Sequence, residues 1–409
     1  MYNSRLPQIT WKMVQSPVVV FAIALTTRLW MFWRLPPAEA LRFFYQYNEF
    51  ARIAWAVVSG HGYSSPWPNT PLLPTAVEPP VYTYLLASIF RLAGAFSLAS
   101  LKIGVVLNAV LAAATAVLIL RIGKRDFGAP VGVLAAWLWS CWTYEAAVSL
   151  RLWEGSLSAL LLAVGLFLLP RLADSPRASL WGWFGALAGV AALTNTSLLS
   201  VFPLFWLWLW MACRRRQRPC GKLLLISVAA CVLTVLPWTI RNYVTFQRLM
   251  PIRDNFGLEL WLGNHESVGR LYDNDFPILN PTEYNRLGEI PFMQAKRQIA
   301  LQFIRQHPAE FLRLSVRRCF KYWIAPDGSA WWMVSILTWA GAVLALWRRR
   351  TSAVPYVIVI VAFPCIYYVT HTFNNYRHPT ESAMFLLAAY AVETVVTVAG
   401  QRLFRIRPS

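Results

Sequence analysis

Ten apolar stretches dominate this chain and leave it few ways to fold. They lie near 14–33, 99–120, 129–148, 152–170, 180–194, 197–212, 222–239, 330–347, 353–371 and 380–398. A helix needs roughly 17–25 apolar residues to cross a bilayer, where each backbone N–H and C=O must find its partner within the span. The spacing predicts an all-α polytopic membrane protein with about ten transmembrane helices. Composition agrees: 57% of the 409 residues are hydrophobic and 14% charged, which excludes disordered and ordinary soluble classes. The net charge of +20 alone would suit a nucleic-acid binder, but the apolar content does not, so no nucleic acid is expected as a partner. Six scattered cysteines form no CxxC pair and read as small buried hydrophobes.

The basic residues fall in alternate loops. Arg121, Lys124 and Arg125 follow the second stretch, Arg214, Arg215 and Arg216 the sixth, and Arg348, Arg349 and Arg350 the eighth. Such a bias marks the cytoplasmic side. It places both termini inside and two large segments, 34–98 and 240–329, outside. The chain thus divides into a transmembrane core with the first external loop (1–239), an external segment (240–329), and C-terminal helices with a cytoplasmic tail (330–409). The expected location is the cytoplasmic (inner) membrane, with membrane lipids as neighbours. The first stretch is longer than a signal-peptide core and reads as a retained helix.

The first external loop carries the densest polar pattern. The run Tyr45–Ala56 reads as a helix whose apolar face, including Phe50 and Ile53, suits a membrane interface. Glu49 and Arg52 are three apart and share a face. Gly60-His61-Gly62 breaks the helix. Glu78-Pro79-Pro80 then leads into 81–96, read as an interfacial or re-entrant helix. In the second segment, Pro281 starts a helix and 291–322 is helical, broken at His307-Pro308. Arg253, Asn264, His265, Glu266 and Arg270 cluster around glycines. His265 beside Glu266 is too little for a metal site. No metal ligands or cofactor are assigned, and divalent-metal dependence stays open.

The order of these motifs resembles a known family. One helix is followed by Glu49-x-x-Arg52-x-Ala54, then Gly60-x-Gly62, then Pro79-Pro80 before an aromatic helix start. Arg241-Asn242, Asn255-Phe256-Gly257, Leu262-Gly263-Asn264-His265, Gly288-Glu289, His307-Pro308 and Tyr376-Arg377-His378-Pro379 continue it. The pattern is similar to the GT-C glycosyltransferases that use polyprenyl-phosphate sugars, nearest the protein O-mannosyltransferase-like enzymes and the lipid A aminoarabinose transferases. The resemblance covers most of 14–398 and implies a GT-C-like fold with two external loops carrying interfacial helices. It implies inverting transfer of a sugar from a polyprenyl-phosphate donor to a lipid, glycan or protein hydroxyl. Glu49 matches the general base. Arg52 matches an arginine on the donor phosphate, and Arg253 and Arg377 are further candidates for that role. Glu78, His265 and His378 are candidate substrate contacts.

One position departs. The aminoarabinose transferases carry a phosphate-binding lysine before Pro-Pro, where this chain has Glu78. A carboxylate cannot hold a phosphate. Either another cation takes that place, or Glu78 serves the acceptor or a metal. Each candidate also has a plainer reading. Glu49 with Arg52 is also an ordinary helix ion pair, and Glu78 is also a helix cap. Arg377 is also a helix-end anchor, and Glu145, Arg151 and Glu154 read as a helix-end ion cluster. A lipid or solute transporter, or a non-catalytic glycan-assembly subunit, are the competing functions. A transporter would carry polar groups or broken helices at mid-membrane in paired halves. Here the candidate chemistry lies in the external loops.

Overall fold

The computed structural model describes residues 11–46, 48–64, 66–268, 281–324 and 330–405. Arg270 lies outside the described residues. Helices stand at all ten apolar stretches. They are α1 (Pro17–Trp33), α5 (Leu98–Asp126), α6 (Ala129–Cys141), α8 (Gly155–Asp174), α9 (Ala178–Ala192), α10 (Phe202–Arg215), α11 (Gly221–Phe246), α16 (Trp331–Trp347), α17 (Val354–Ala362) and α19 (Glu381–Arg405). Six helical segments among the described residues are long and apolar enough to cross a membrane, or up to seven with the bent pair described next. The count of ten spans is therefore not reached on length and composition. The reason is local: Trp142 adopts extended backbone and ends α6 after 13 residues, α9 has only 15, and α16 has 17.

The external segments hold the remaining helices. They are α2 (Pro37–Tyr45), α3 (Glu49–Val58), α4 (Pro80–Ala93), α12 (Phe256–Gly263), α13 (Pro281–Leu287), α14 (Glu289–Gln306) and α15 (Pro308–Ile324). Two short helices, α7 (Thr143–Ser149) and α18 (Cys365–Val369), and a 3₁₀ turn at Asn374–Thr380 complete the site-bearing parts. At Pro36-Pro37 the chain turns by 107° between α1 and α2. The helix expected over Tyr45–Ala56 begins four residues later. Asn48 interrupts it, and its side-chain oxygen accepts from the Ala51 N–H (2.9 Å) to cap α3. His307 does separate α14 from α15, because the following Pro308 disfavours helical backbone before it.

Small residues let the spans approach. A Cβ on Gly123 would stand 2.4 Å from the Gly132 Cα, so α5 and α6 touch backbone to backbone. By contrast α11 packs mainly on α9 and turns Leu225, Val232, Leu233 and Val244 outward. The basic loops gather at one end. Lys124 Nζ donates to the Gln15 carbonyl (3.0 Å), Arg125 pairs with Asp126 (2.6 Å), and Arg216 pairs with Asp174. The two external segments meet each other: Glu289 accepts from the Ala76 N–H (2.6 Å), and the Asp254 N–H donates to the Ala76 carbonyl (3.0 Å).

Candidate active site between two cavities

Capping fixes where Glu49 stands. Asn48 Nδ2 donates to the Leu152 carbonyl (2.9 Å), which ties the start of α3 to the segment ahead of α8. Glu49 is the first residue of α3, where the helix dipole is positive. Its carboxylate accepts from Trp67 Nε1 (2.5 Å). Trp67 in turn packs edge-on against Tyr284 of the second segment, ring centroids 4.9 Å apart.

The Gly-x-Gly turn brings the chain back. Gly60 (φ 85°) and Gly62 (φ 67°) both occupy left-handed backbone that a side chain disfavours. Tyr63 then donates to the Glu78 carbonyl (2.7 Å). Arg241 clamps this loop through the carbonyls of Thr75 (2.8 Å) and Tyr63 (3.0 Å) and stacks over Trp238. Its neighbour Asn242 donates to the Met250 and Ile252 carbonyls, both at 3.0 Å. The Arg241-Asn242 pair of the sequence thus sets two strips of backbone, one bearing Glu78 and the other Arg253.

These strips line a cavity of about 560 Å³. Four carboxylates face it, from Glu49, Glu78, Glu154 and Glu259, and Arg253 is the cation among its described lining residues. Arg253 donates to the Val77 carbonyl (2.8 Å) and lies 3.3 Å from Glu78 and 3.9 Å from Glu259. Burial pushes the Glu78 carboxyl well above the usual carboxylate range; Arg253 pulls it down, and the Glu49 carboxylate, hydrogen-bonded to it, pushes it up again.

A second cavity of about 630 Å³ adjoins the first and shares Glu49, Phe50, Trp153 and Tyr376 with it. Trp153 and Tyr376 stack there at 6.4 Å. Its charged lining residues are Glu49, Arg151 and Lys321, with Asn48 and Asn375 nearby. Glu49 is therefore on a wall that faces two chambers of unlike charge.

The other sequence candidates sit elsewhere. Arg52 lines neither cavity; its guanidinium lies over Trp55 (5.1 Å) and its Nε is buried without a hydrogen-bond partner. No ion pair joins it to Glu49 among the described residues. His265 stacks on Trp261 at 4.5 Å and lines a separate recess of about 290 Å³. Asn264 is held by Arg318, which also donates to the Gly263 carbonyl (2.8 Å). A Cβ on Gly263 would meet the Thr370 carbonyl oxygen at 1.7 Å, so this motif glycine serves close packing.

Arg377 and His378 are wholly buried among the helices. Arg377 pairs with Glu381 (3.2 Å) and lies over Trp331 (4.0 Å). His378 Nδ1 is 2.8 Å from Glu145 and 2.9 Å from Glu381, and its ring stacks on Trp139. Arg28, from α1, bonds Ser149 (2.8 Å) and is electrostatically coupled to Glu145. Glu145, His378 and Glu381 present possible metal-ligating atoms within 4.8 Å of one another. The two arginines already cancel the formal charge of the two carboxylates.

Sequence reasoning missed Glu154, Glu259 and Trp67 as cavity residues and Arg28 as part of the buried network. An arginine inside an apolar stretch was a usable signal, because such a charge persists only with partners. The expected ion cluster of Glu145, Arg151 and Glu154 is dispersed: the first joins the buried network, and the other two line different cavities.

This is an all-α polytopic membrane fold of the GT-C type, with residues of the external segments lining the two cavities that meet at Glu49. Residues 77–239 match the family model described as dolichyl-phosphate-mannose-protein mannosyltransferase. The whole fold is similar to ArnT from Cupriavidus metallidurans bound to undecaprenyl phosphate, with a TM-score of 0.50 and 14% identity over 96% of this chain and 61% of that one. This chain thus spans less than two thirds of that protein's length. Apo ArnT from the same organism matches at a TM-score of 0.33 and 13% identity, over 89% of this chain and 76% of that one. No curated protein matches the sequence. The chain resembles the GT-C mannosyltransferase and aminoarabinose-transferase group. The matched family segment contains Glu78, Arg151 and Glu154, while Glu49 and Arg253 fall outside it.

Proposed function

We propose that this protein is a membrane glycosyltransferase that moves a sugar from a polyprenyl-phosphate donor to an acceptor hydroxyl, with inversion. The observation that carries this reading is the position of Glu49, a carboxylate on the wall common to two cavities. The fold likeness and the lipid bound by the ArnT relative support the donor class. The acceptor is a hydroxyl of a lipid, a glycan or a protein. The basic loops mark the cytoplasmic side, so the reaction faces the periplasm or cell exterior.

In this mechanism Glu49 removes the acceptor proton as the acceptor oxygen bonds the anomeric carbon. The bond from that carbon to the phosphate oxygen breaks, and its electron pair leaves on the phosphate. The donor diester becomes a polyprenyl phosphate monoester with one more negative charge. Trp67 orients the base from one side and Glu78 from another. Arg253 keeps Glu78 and Glu259 in register on the cavity wall. Arg52 supports the helix that presents Glu49, and Arg377 with His378 fixes the start of the last helix, next to Tyr376.

The test is transfer by reconstituted protein from a labelled polyprenyl-phosphate sugar to membrane extract. Glu49→Gln should abolish transfer while folding and donor binding persist. Full activity in that variant would remove Glu49 as the base.

A further inference from the structure

The two cavities that meet at Glu49 differ in charge, and a phosphate leaving group must choose between them. In the first, Arg253 faces four carboxylates and is already engaged at 3.3 Å with Glu78 and 3.9 Å with Glu259. A phosphate there would meet an excess of negative charge in a partly enclosed space, where such repulsion is poorly screened. In the second, Arg151 and Lys321 face Glu49 as the lone lining carboxylate among the described residues. Arg151 makes no ion pair among the described residues, and its guanidinium lies over the Phe43 ring, 5.9 Å from the centroid.

We infer that the second cavity holds the lipid phosphate of the donor, with Arg151 and Lys321 as its cationic contacts. The inference rests on the proposed transferase reading and names the phosphate subsite within it. Three observations converge. Arg151 lies in the turn before α8 and Lys321 near the end of α15, so two distant segments deliver cations to one recess. Asn375 adds an amide, and Phe43, Phe44 and Tyr144 supply an apolar side for a lipid chain. Glu49 stands on the wall shared with the carboxylate-rich chamber, so the acceptor hydroxyl meets the base from the side opposite the departing phosphate. That is the arrangement inversion requires. The monoester gains a negative charge as the sugar leaves, and two cations there stabilise that charge as it forms. The acidic chamber then takes the uncharged, hydroxyl-rich partner.

The experiment uses the full chain in detergent with geranylgeranyl phosphate, and geranylgeraniol as the uncharged control. Wild type should prefer the phosphate. Arg151→Gln and Lys321→Gln should each cut that preference about tenfold, the usual scale for one charge-assisted hydrogen bond, and the double variant should erase it. Arg151→Lys should keep most of it, and unchanged alcohol binding certifies the fold of each variant. Arg253→Gln should alter the preference less than about threefold. A preference that vanishes in Arg253→Gln but survives in the double variant overturns the assignment, as does equal affinity of wild type for phosphate and alcohol. Sugar transfer is scored separately. Transfer intact with the preference lodged at Arg253 sinks the subsite alone. Arg151-dependent phosphate binding with no transfer from any donor sinks the transferase reading alone.

Discussion

Two regions of this protein concentrate charge, and they treat it in opposite ways. In the helix bundle, Arg28, Glu145, Arg377, His378 and Glu381 are wholly or almost wholly buried, and the two arginines cancel the two carboxylates. Under the external segments, Glu49, Glu78, Glu154 and Glu259 crowd a cavity against one arginine, and the matching cations stand across a wall. A balanced, enclosed network can be read as architecture, because its two arginines and two carboxylates offset one another within the bundle. An unbalanced set around open space suits a charged partner, and in the proposed reading that partner is substrate. The sequence motif Tyr376-Arg377-His378-Pro379 straddles the two: Tyr376 lines both cavities while Arg377 and His378 face the bundle.

The strongest way to break this contrast is at Glu49. Glu49→Gln should lower transfer by about 10²–10⁴-fold, the usual contribution of a general base, with melting unchanged. Arg377→Met should act on the fold instead. Removing one partner of a buried pair typically costs about 3–5 kcal/mol, so the thermal midpoint should drop sharply. An unchanged midpoint with lost donor binding would return Arg377 to the substrate site. Trp67→Phe removes the hydrogen bond to Glu49 but keeps an aromatic ring against Tyr284; turnover should fall about tenfold with little change in stability.

The smallest effect on activity is expected from Glu289→Gln. Glu289 joins the second external segment to the loop before Glu78, and burial pushes its carboxyl up to about 7 against the hydrogen bonds that Thr75, Ala76 and Tyr284 supply. A raised folded value means its contribution is full below the unfolded value of about 4.5 and is lost as pH rises through 7. Wild type should therefore lose thermal stability between pH 4.5 and 7 relative to Glu289→Gln, measured by melting across that window. Parallel curves would show that this carboxylate is not the titrating latch.

Much of the fold was legible because membrane physics is one-dimensional. Apolar length places helices, and alternate basic loops orient them, with no knowledge of packing. Two of the places where the reading slipped show local causes. Asn48 caps a helix that the apolar pattern alone would start at Tyr45, and Trp142 ends a stretch that composition alone runs on to 148. The candidate site was legible only in part. Glu49 and Glu78 stood out by motif, but Glu154 and Arg151 looked like one cluster three residues apart. In the fold they serve separate chambers, because the turn before α8 points successive side chains in different directions. His265, conspicuous among glycines in sequence, stacks on Trp261 away from both cavities.

The sequence by itself determined that this is a helical membrane protein, which end of each helix carries the basic loops, and that Glu49 begins a polar loop of GT-C-like order. Only the tertiary structure decided which charges neutralise one another and which are left facing a cavity. Pairing depends on distances between residues more than a hundred positions apart, such as Arg253 with Glu78 or His378 with Glu145. No linear pattern encodes those distances. They follow from how small-residue helix faces, proline turns and backbone clamps such as Arg241-Asn242 bring distant segments together.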